Sequence, residues 1–538
     1  MRLTYEGLKD AESWHNAGID LPTYDPEKIA ENTRKNPLWV HFGIGNIFRI
    51  FIGGIADSLI RSGLMDRGIT CVETFDYDVA DKIYRPFDNL ALSVTLHEDG
   101  KTDKRVLGSL SEALKAPQDW ERLKEIFTSK TLQLISFTIT EKGYAIHGAD
   151  GKYFPFVQAD IDNGPEKPKG AMSIVTSMLY ERFKAGAAPL ALVSMDNVSQ
   201  NGKKLRESVI ETAEKWQEKG FVPTEFLSYI KDENVISFSW TMIDKITPRP
   251  SEDVEKMLSD LGVEDMGILV TSKKTYIAPF VNAEAPGYLV IEDKFPNGRP
   301  PLEKSNSGVY MADRNTVNLS ERMKVTACLN PIHSALCTYD IMLGYRLFAD
   351  GMHDPELSKL ARTVGYSEGL PVVEDPKIIS PRKFIDEVIN VRFPNPYLGD
   401  TSARIATDIS QGLAFRFGET VKAWVSRYGT EKTSQELIGI PLAIAGWLRY
   451  TMAVDDNGKK YELSPDPMND EISRQLEGIE IGKPETVGSK LNPILSNTRI
   501  FGVNLYDAGI GSKIENIFRE EISDFGAVRK TLKKYLAS

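Results

Sequence analysis

The stretch NPLWVHFGIGNIFRIFIGGIADSLIRSG, residues 36–63, decides the fold. It opens with a short apolar run, 38–42, continues through Gly43 and Gly45, and then shows apolar residues at helical spacing to its end. This order predicts a strand, a tight glycine turn and a helix. A second apolar run, 69–75, ends near acidic residues and completes the start of a β-α-β unit.

The alternation of β-rich and helical stretches continues along the first half of the chain. Helical stretches such as 173–184 separate further short β-rich runs. This alternation predicts an α/β fold with a parallel, doubly wound, Rossmann-like sheet. The further runs are 92–96, 132–140, 190–195 and 235–238.

The composition and the periodicity of the sequence change beyond about residue 285. Residues 286–302 are rich in proline and glycine, and helical periodicity dominates the remainder. We therefore predict a Rossmann-like dinucleotide-binding domain over 1–285 and a mostly α-helical substrate and catalytic domain over 286–538.

The best helix of the second domain is predicted over 331–349. Asn330 is a good N-cap, Pro331 suits the first helical position, and the Asp350-Gly351 pair stops the helix.

Composition and charge exclude several classes of protein. Hydrophobic residues make up 41% and charged residues 26% of the 538, which is typical of a globular protein. The 65 basic and 76 acidic residues give a net charge of -11, so the basic footprint of a nucleic-acid binder is absent. No run approaches the roughly 18 apolar residues of a membrane span. We expect a cytoplasmic protein whose partners include neither nucleic acid nor a membrane, and the sequence leaves its oligomeric state open.

The cysteines and histidines are too scattered to indicate a disulfide framework or a metal site. The cysteines form no close pair, and the histidines show no H-x-x-x-H spacing, so we expect free thiols and metal-free catalysis. The residues concerned are Cys71, Cys328, Cys337, His15, His41, His97, His147, His333 and His353.

The G-I-G turn is a candidate cofactor site. Backbone N–H groups at Gly43, Gly45 and Asn46, together with the helix dipole, can receive a pyrophosphate, and Arg49 adds a cation near the helix start. Phe48 takes the place of the third glycine in the usual G-x-G-x-x-G fingerprint. A tight strand-to-helix turn that binds no ligand has the same sequence, so the motif alone leaves both interpretations open.

Two acidic residues near the end of the next strand favour the cofactor interpretation. A carboxylate of Glu73 or Asp76 can accept hydrogen bonds from an adenosine ribose and would repel a 2'-phosphate, which favours NAD over NADP. The alternative is that both are solvated loop acids.

The run 190–195 is followed by Asp196 and Asn197. Residues at the carboxyl end of a parallel strand face the ligand crevice of an open α/β sheet, where an Asn amide can donate to a substrate oxygen. The alternative is an Asn-x-Gly turn whose side chains satisfy one another.

Four polar residues crowd into the segment NLSERMKVTACLNPIH, 318–333. They are Glu321, Lys324, Asn330 and His333. A metal-free acid/base site needs a group whose pKa can move towards neutrality, and burial lowers the pKa of lysine. On a helix Glu321 and Lys324 share a face and can exchange protons. The alternatives are a capping box of Glu321 with Asn318, a solvated lysine, a helix-capping Asn330 and a first-turn histidine.

Seven segments, taken in order, resemble the mannitol dehydrogenase family of polyol-specific long-chain dehydrogenases, and the resemblance covers nearly the whole chain. The segments are HFGIGNIFR at 41–49, FTITEKGY at 137–144, MDNVSQNG at 195–202, WTMIDKITP at 240–248, VIEDKFPNGRP at 290–300, KVTACLNPIHSAL at 324–336 and RFPNPYLGDTSARIATDISQ at 392–411.

The resemblance implies an NAD(P)-dependent, metal-free oxidoreductase. It gives Lys324 the role of general acid/base, and Asn197 and Asn330 that of hydrogen-bond donors to the reacting oxygen. It implies that His333 orients the substrate or the lysine. Glu321 matches the acidic residue that passes the proton between the lysine and solvent.

The resemblance also implies a sugar acid or polyol as substrate. Asp244 and Arg404 match substrate-contacting positions, and Arg404 suits a polar or carboxylate-bearing chain. We interpret the sequence as an NAD-dependent reductase of a hexuronate ketose. Tagaturonate reductase and mannitol 2-dehydrogenase are alternatives within the family, and a non-catalytic NAD-sensing protein is an alternative outside it.

One departure from the family lies beside the lysine. The family usually places five steps between the catalytic lysine and the asparagine, whereas Lys324 and Asn330 are six apart. We expect a bulge or a helix end to absorb the inserted residue.

Overall fold

The computed structural model describes residues 1–537. The chain forms two compact units, Met1–Asn318 and Leu319–Ser538. Every helix within residues 1–537 is too short or too polar to span a lipid bilayer.

A six-stranded sheet organises the first unit. Its strands, in chain order, are β1 (Trp39–Phe42), β2 (Ile69–Glu73), β3 (Leu110–Lys115), β4 (Leu134–Phe137), β5 (Leu190–Ser194) and β6 (Ile236–Ser239). The spatial order is β3-β2-β1-β4-β5-β6, and all neighbouring strands are parallel. This is the doubly wound order, with its switch point between β1 and β4. The prediction of a Rossmann-like parallel sheet is therefore confirmed.

Apolar side chains cover both faces of this sheet. Trp39 of β1 packs on one face in a cluster with the helix Gly53–Arg61. Val40 and Phe42 pack on the other face in a cluster with helices that include Ala171–Lys184. Because successive strand residues point to opposite faces, a sheet covered on both sides buries every residue of such a strand, as it does in β1.

The helices of the first unit connect and cover the strands. They are Ala11–Asn16, Pro26–Lys35, Gly53–Arg61, Trp120–Thr128, Thr140–Tyr144, Pro155–Asn163, Ala171–Lys184, Asn201–Glu218, Thr224–Lys231 and Glu252–Asp260.

Three smaller sheets complete the first unit. The β-rich run at 92–96, expected in the parallel sheet, lies instead in a four-stranded mixed sheet, where Ala91–Leu96 pairs antiparallel with Thr102–Leu107. Its hydrophobic pattern suits either sheet, because long-range pairing is not encoded in a local pattern. The remaining strands are Ile19–Asp20 and Phe280–Glu284 in that sheet, Thr241–Asp244, Tyr288–Glu292 and Val309–Ala312 in a second, and Leu269–Val270 and Tyr276–Ile277 in a third.

The division between the two units falls later than the boundary placed at residue 285. Tyr288–Glu292 pairs with Thr241–Asp244, and Val309–Ala312 pairs with Tyr288–Glu292. The Pro- and Gly-rich segment 286–302 therefore belongs to a sheet of the first unit.

The second unit is helical, and within residues 319–537 it contains no strand beyond isolated bridges. The helix Arg314–Met323 leads into it. Its own helices are Asn330–Leu343, Phe348–Met352, Pro355–Arg362, Pro381–Glu387, Ser402–Ile405, Ile409–Leu413, Glu419–Glu436, Gly439–Tyr450, Asn469–Gln475, Asn492–Leu495, Thr498–Phe501, Gly511–Glu521 and Ala527–Tyr535. The prediction of a mostly α-helical C-terminal region is confirmed.

The helix predicted over 331–349 is shorter than expected. It begins at Asn330, whose side chain does not cap it, and ends at Leu343. Gly344 follows in the left-handed region with φ 87°, and the Tyr345 amide donates to the carbonyl oxygen of Asp340 at 2.8 Å. This glycine ending stops the helix before Asp350-Gly351 is reached.

A buried carboxyl group joins three helices of the second unit. Glu521 Oε1 lies 2.6 Å from the Tyr339 hydroxyl, which lies 2.7 Å from the Leu442 carbonyl oxygen. Burial raises the pKa of Glu521 to about 8. A protonated Glu521 can donate to Tyr339, and Tyr339 can then donate to Leu442, so the neutral acid satisfies the whole chain.

We predict that Glu521→Gln stabilises the protein at pH 8.5 by about 1–3 kcal/mol. The folded pKa lies above the usual value, so the folded state holds the proton more tightly and wild-type stability falls as pH rises from about 4.5 to about 8. Melting temperatures at pH 5 and 8.5 check this, with the exposed Glu471→Gln as control. Equal shifts at both pH values would contradict it.

Candidate active site

The glycine turn after β1 can be built only with glycine at its first position. Gly43 has φ 88°, and a Cβ there would lie 2.7 Å from the Thr138 carbonyl carbon. At Gly45, by contrast, nothing lies within 4 Å of the Cβ position. The turn therefore leaves open space beside Gly45 at the carboxyl edge of the sheet, and this fits the close approach of a pyrophosphate.

Arg49 is enclosed by the first unit. Its side chain donates to the carbonyl oxygens of Ala278 at 2.8 Å and Phe280 at 3.4 Å, and to Asn46 Oδ1 at 2.9 Å. Burial lowers its pKa to about 10, which still leaves it charged at neutral pH. Arg49 thus holds Asn46 in place at the start of the helix. Its guanidinium charge is stabilised by the main-chain carbonyl oxygens that accept its hydrogen bonds.

The two acids after β2 are buried in loop interactions. Glu73 Oε1 accepts hydrogen bonds from the backbone amides of Thr74 and Phe75, both at 2.9 Å, and of Asp76 at 3.2 Å. Burial raises the pKa of Glu73 against these amides. Asp76 Oδ2 accepts from Thr271 Oγ1 at 2.7 Å. Neither acid is a solvated loop residue.

A buried chain of hydrogen bonds lies under the turn and was not predicted from the sequence. Trp39 Nε1 donates to Ser136 Oγ at 2.7 Å, and Ser136 Oγ lies 2.6 Å from His41 Nδ1. His41 Nε2 lies 2.8 Å from Thr138 Oγ1, which donates to the Gly43 carbonyl oxygen at 2.8 Å. Burial lowers the pKa of His41 well below its usual range. A neutral His41 with its proton on Nε2 satisfies every link of this chain.

The end of β5 is fixed by Asp196. Its carboxylate accepts from the backbone amides of Ile139 at 2.8 Å and Thr140 at 2.9 Å, and from the Tyr144 hydroxyl at 2.6 Å. Thr140 has φ 62°, a strained conformation for a β-branched residue and one typical of functional loops.

Asn197 is exposed beyond Asp196, at the carboxyl end of β5. The neighbouring Asn201 amide nitrogen donates to the carbonyl oxygens of Asp196 at 2.9 Å and Thr241 at 3.0 Å. Asn201 therefore fills the structural role expected of an Asn-Gly turn. Asp244 ends the strand Thr241–Asp244 and is only 8% exposed.

Lys324 begins a π-helical turn in the second unit. The helix Arg314–Met323 passes into Lys324–Cys328, and the Leu329 amide donates to the Lys324 carbonyl oxygen at 3.1 Å. A π turn holds one residue more than an α turn, so it absorbs the extra residue before Asn330, as expected. The Lys324 side chain is almost fully enclosed, since the residue is 1% exposed.

Glu321 lies one turn before Lys324 in the same helix. It is half-buried. Asn318 lies inside Arg314–Met323, so the capping-box alternative for Glu321 is wrong. The spacing of three residues places Glu321 and Lys324 on the same side of the helix.

Asn330 and His333 lie at the start of the next helix. Within residues 1–537 the Asn330 side chain has no hydrogen-bond partner, so its amide is available to a ligand. The His333 ring stacks on Phe393 with a centroid distance of 4.6 Å and meets Phe348 edge-on at 4.6 Å. Burial lowers the pKa of His333 to about 3, so the ring is neutral at neutral pH.

Arg404 is engaged by Asp400, a residue that sequence interpretation missed. Nε and Nη2 of Arg404 each donate to a carboxylate oxygen of Asp400 at 2.7 Å. The Arg404 side chain is 63% exposed, and Asp400 Oδ2 also lies 3.7 Å from His333 Nε2. The i,i+4 spacing of Asp400 and Arg404 is the signal that points to this pair.

The described residues offer no metal centre. Within residues 1–537 no group of three or more His, Cys, Asp and Glu side chains is arranged to hold an ion.

Two family models together match most of the chain. The mannitol dehydrogenase Rossmann domain matches residues 38–304, and the mannitol dehydrogenase C-terminal domain matches residues 317–518.

Curated relatives and solved structures agree with these matches. The chain is 50% identical to the D-mannonate oxidoreductase of Thermotoga maritima over 537 residues, which is 99% of each chain. It is 28% identical to the D-mannonate oxidoreductase of Escherichia coli, over 86% of this chain and 89% of that one. The structure of Pseudomonas fluorescens mannitol 2-dehydrogenase in a ternary complex with NAD and D-mannitol is 25% identical, with a TM-score of 0.72 and full coverage of both chains. A substrate-free D-sorbitol dehydrogenase is 26% identical, with a TM-score of 0.79 over 95% of this chain and 97% of that one.

We predict that alanine destabilises the protein at the first glycine of the turn and leaves its stability unchanged at the second. Gly43→Ala forces a Cβ against Thr138 and a positive φ on alanine, so we expect a loss of about 1–3 kcal/mol in stability. Gly45→Ala meets open space and should unfold at the wild-type temperature without cofactor. Thermal unfolding measures both, and equal destabilisation by the two variants would contradict the geometry of the turn.

Proposed function

Because this chain belongs to the mannitol dehydrogenase family, we propose that it interconverts D-fructuronate and D-mannonate with NAD as the hydride carrier. It is an NAD-dependent dehydrogenase that acts on CH–OH groups. The observation that carries the choice of substrate is its full-length similarity to a D-mannonate oxidoreductase.

The residues of the first unit fit a dinucleotide. Gly43 and Gly45 with Asn46 would hold the pyrophosphate, since the space beside Gly45 is open. Glu73 and Asp76 at the end of β2 would meet the adenosine ribose, and their negative charge favours NAD over NADP. NAD supplies or accepts the hydride when it is bound.

Lys324 serves as the general acid and base in this proposal. In the reductive direction its ammonium protonates the oxygen of the substrate as negative charge grows there. In the oxidative direction its neutral amine removes the hydroxyl proton, so oxidation is favoured at higher pH. Burial of the residue supports this role, because its side chain is kept away from bulk water. Glu321 passes the proton between Lys324 and solvent.

The amides of Asn330 and Asn197 stabilise the charge on the reacting oxygen in the same proposal. Each donor of this kind contributes roughly 3 kcal/mol to transition-state stabilisation. His333, held neutral between Phe348 and Phe393, orients the substrate without adding charge. Asp244 and Arg404 hold the rest of the sugar chain.

A substrate screen tests the proposed function. Oxidation of D-mannonate, D-altronate and D-mannitol with NAD at high pH is followed by NADH absorbance, and we expect the highest kcat/KM with mannonate. A preference for altronate would indicate a tagaturonate reductase, and a preference for mannitol a mannitol 2-dehydrogenase. Binding of NADH with no turnover of any substrate would favour a sensing protein.

A further inference from the structure

Arg416 is a half-buried cation in the second unit. It lies in the helical turn Ala414–Gly418, directly after the helix Ile409–Leu413. Its Nη1 donates to Ser334 Oγ at 2.8 Å. Within residues 1–537 no carboxylate forms an ion pair with it, and most of the donors of its guanidinium are unused.

Gly412 makes room for this guanidinium. A Cβ at Gly412 would lie 2.6 Å from Arg416 Cζ and 2.9 Å from Arg416 Cδ. Helical side chains point back over the preceding turn, so Arg416 lies across the residue four positions earlier. Any larger residue at 412 would displace the guanidinium.

The surroundings of Arg416 include the residues assigned to the substrate. Ser334, its hydrogen-bond partner, follows His333 in the chain. Burial, followed by the charges of Arg404, Arg416 and Arg392, lowers the pKa of His333 against the influence of Asp400. Three guanidinium groups and one carboxylate therefore act on the same ring.

Arg416 has no carboxylate partner in this cluster. Both carboxylate oxygens of Asp400 accept hydrogen bonds from the guanidinium of Arg404. Burial lowers the pKa of Arg416, yet a guanidinium keeps its proton in proteins. A half-buried guanidinium without a counter-ion is partly desolvated, and an anionic ligand would supply the missing negative charge.

We propose that Arg416 binds the carboxylate of the sugar-acid substrate and so selects sugar acids over neutral polyols. This inference rests on the proposed function and moves recognition of the carboxylate from Arg404, whose fork is occupied, to Arg416. A guanidinium can bind a carboxylate with two parallel hydrogen bonds, and a neutral hydroxymethyl group cannot replace that charge. Gly412 and Ser334 are then the residues that position Arg416.

The test is the kinetics of Arg416→Gln in the full-length enzyme. We expect KM for D-mannonate to rise at least 30-fold, with kcat and the dissociation constant of NADH each changed less than 3-fold. D-Mannitol, measured as an alternative substrate or as a competitive inhibitor, should change less than 3-fold. Arg474→Gln, an exposed arginine of the same unit, is the matched control.

Two further variants keep the test decisive if Arg416→Gln fails to fold. Gly412→Ala retains the charge but displaces it, and we expect the same selective loss for mannonate. Arg416→Lys retains the charge without the fork, and we expect an intermediate KM.

The outcomes separate this inference from the function on which it rests. A wild-type enzyme that does not turn over mannonate overturns both. Wild-type turnover with an unchanged KM in the folded variants, or with equal losses for mannonate and mannitol, overturns the role of Arg416 alone.

Discussion

The burial of the Lys324 side chain is the constraint on which the candidate site of the second unit depends. A lysine that is 1% exposed loses most of its hydration, and a fold tolerates this only where the surroundings serve the charge or allow its removal. The π turn Lys324–Cys328 holds that amine one turn before a helix whose first residue is Asn330. The proposed acid/base group and the proposed hydrogen-bond donor therefore lie on one continuous piece of backbone.

Each unit contains a buried, neutral histidine and an arginine whose guanidinium donates hydrogen bonds to acceptors of the protein. His41 under the glycine turn and His333 beside Phe393 both have lowered pKa values because of burial, so neither carries charge at neutral pH. Arg49 and Arg404 are committed to carbonyl oxygens and to a carboxylate. Arg416 differs from them, because its half-buried guanidinium has no protein carboxylate as a partner within residues 1–537.

Much of the fold follows from local sequence, and the failures have physical causes. The β1 strand, its glycine turn and the helix after it are predictable because their periodicity and turn chemistry agree. The strand Leu110–Lys115, LSEALK, was missed because its alanine, glutamate and lysine are weak strand formers that only the sheet holds extended. The candidate site residues were proposed from family resemblance and spacing. The contact between Gly412 and the Arg416 side chain could not be predicted from the sequence, because it depends on the conformation of that side chain.

Chemical rescue of Lys324→Ala tests the central claim most directly. Small primary amines should restore turnover of mannonate in proportion to their concentration, with rates that depend on the amine pKa, because they replace the missing proton carrier. The same amines should not accelerate the wild type or the exposed-site variant Lys422→Ala. If Lys324→Ala binds NADH normally and no amine of suitable size restores turnover, the amine at position 324 is not the general acid/base and the account is contradicted.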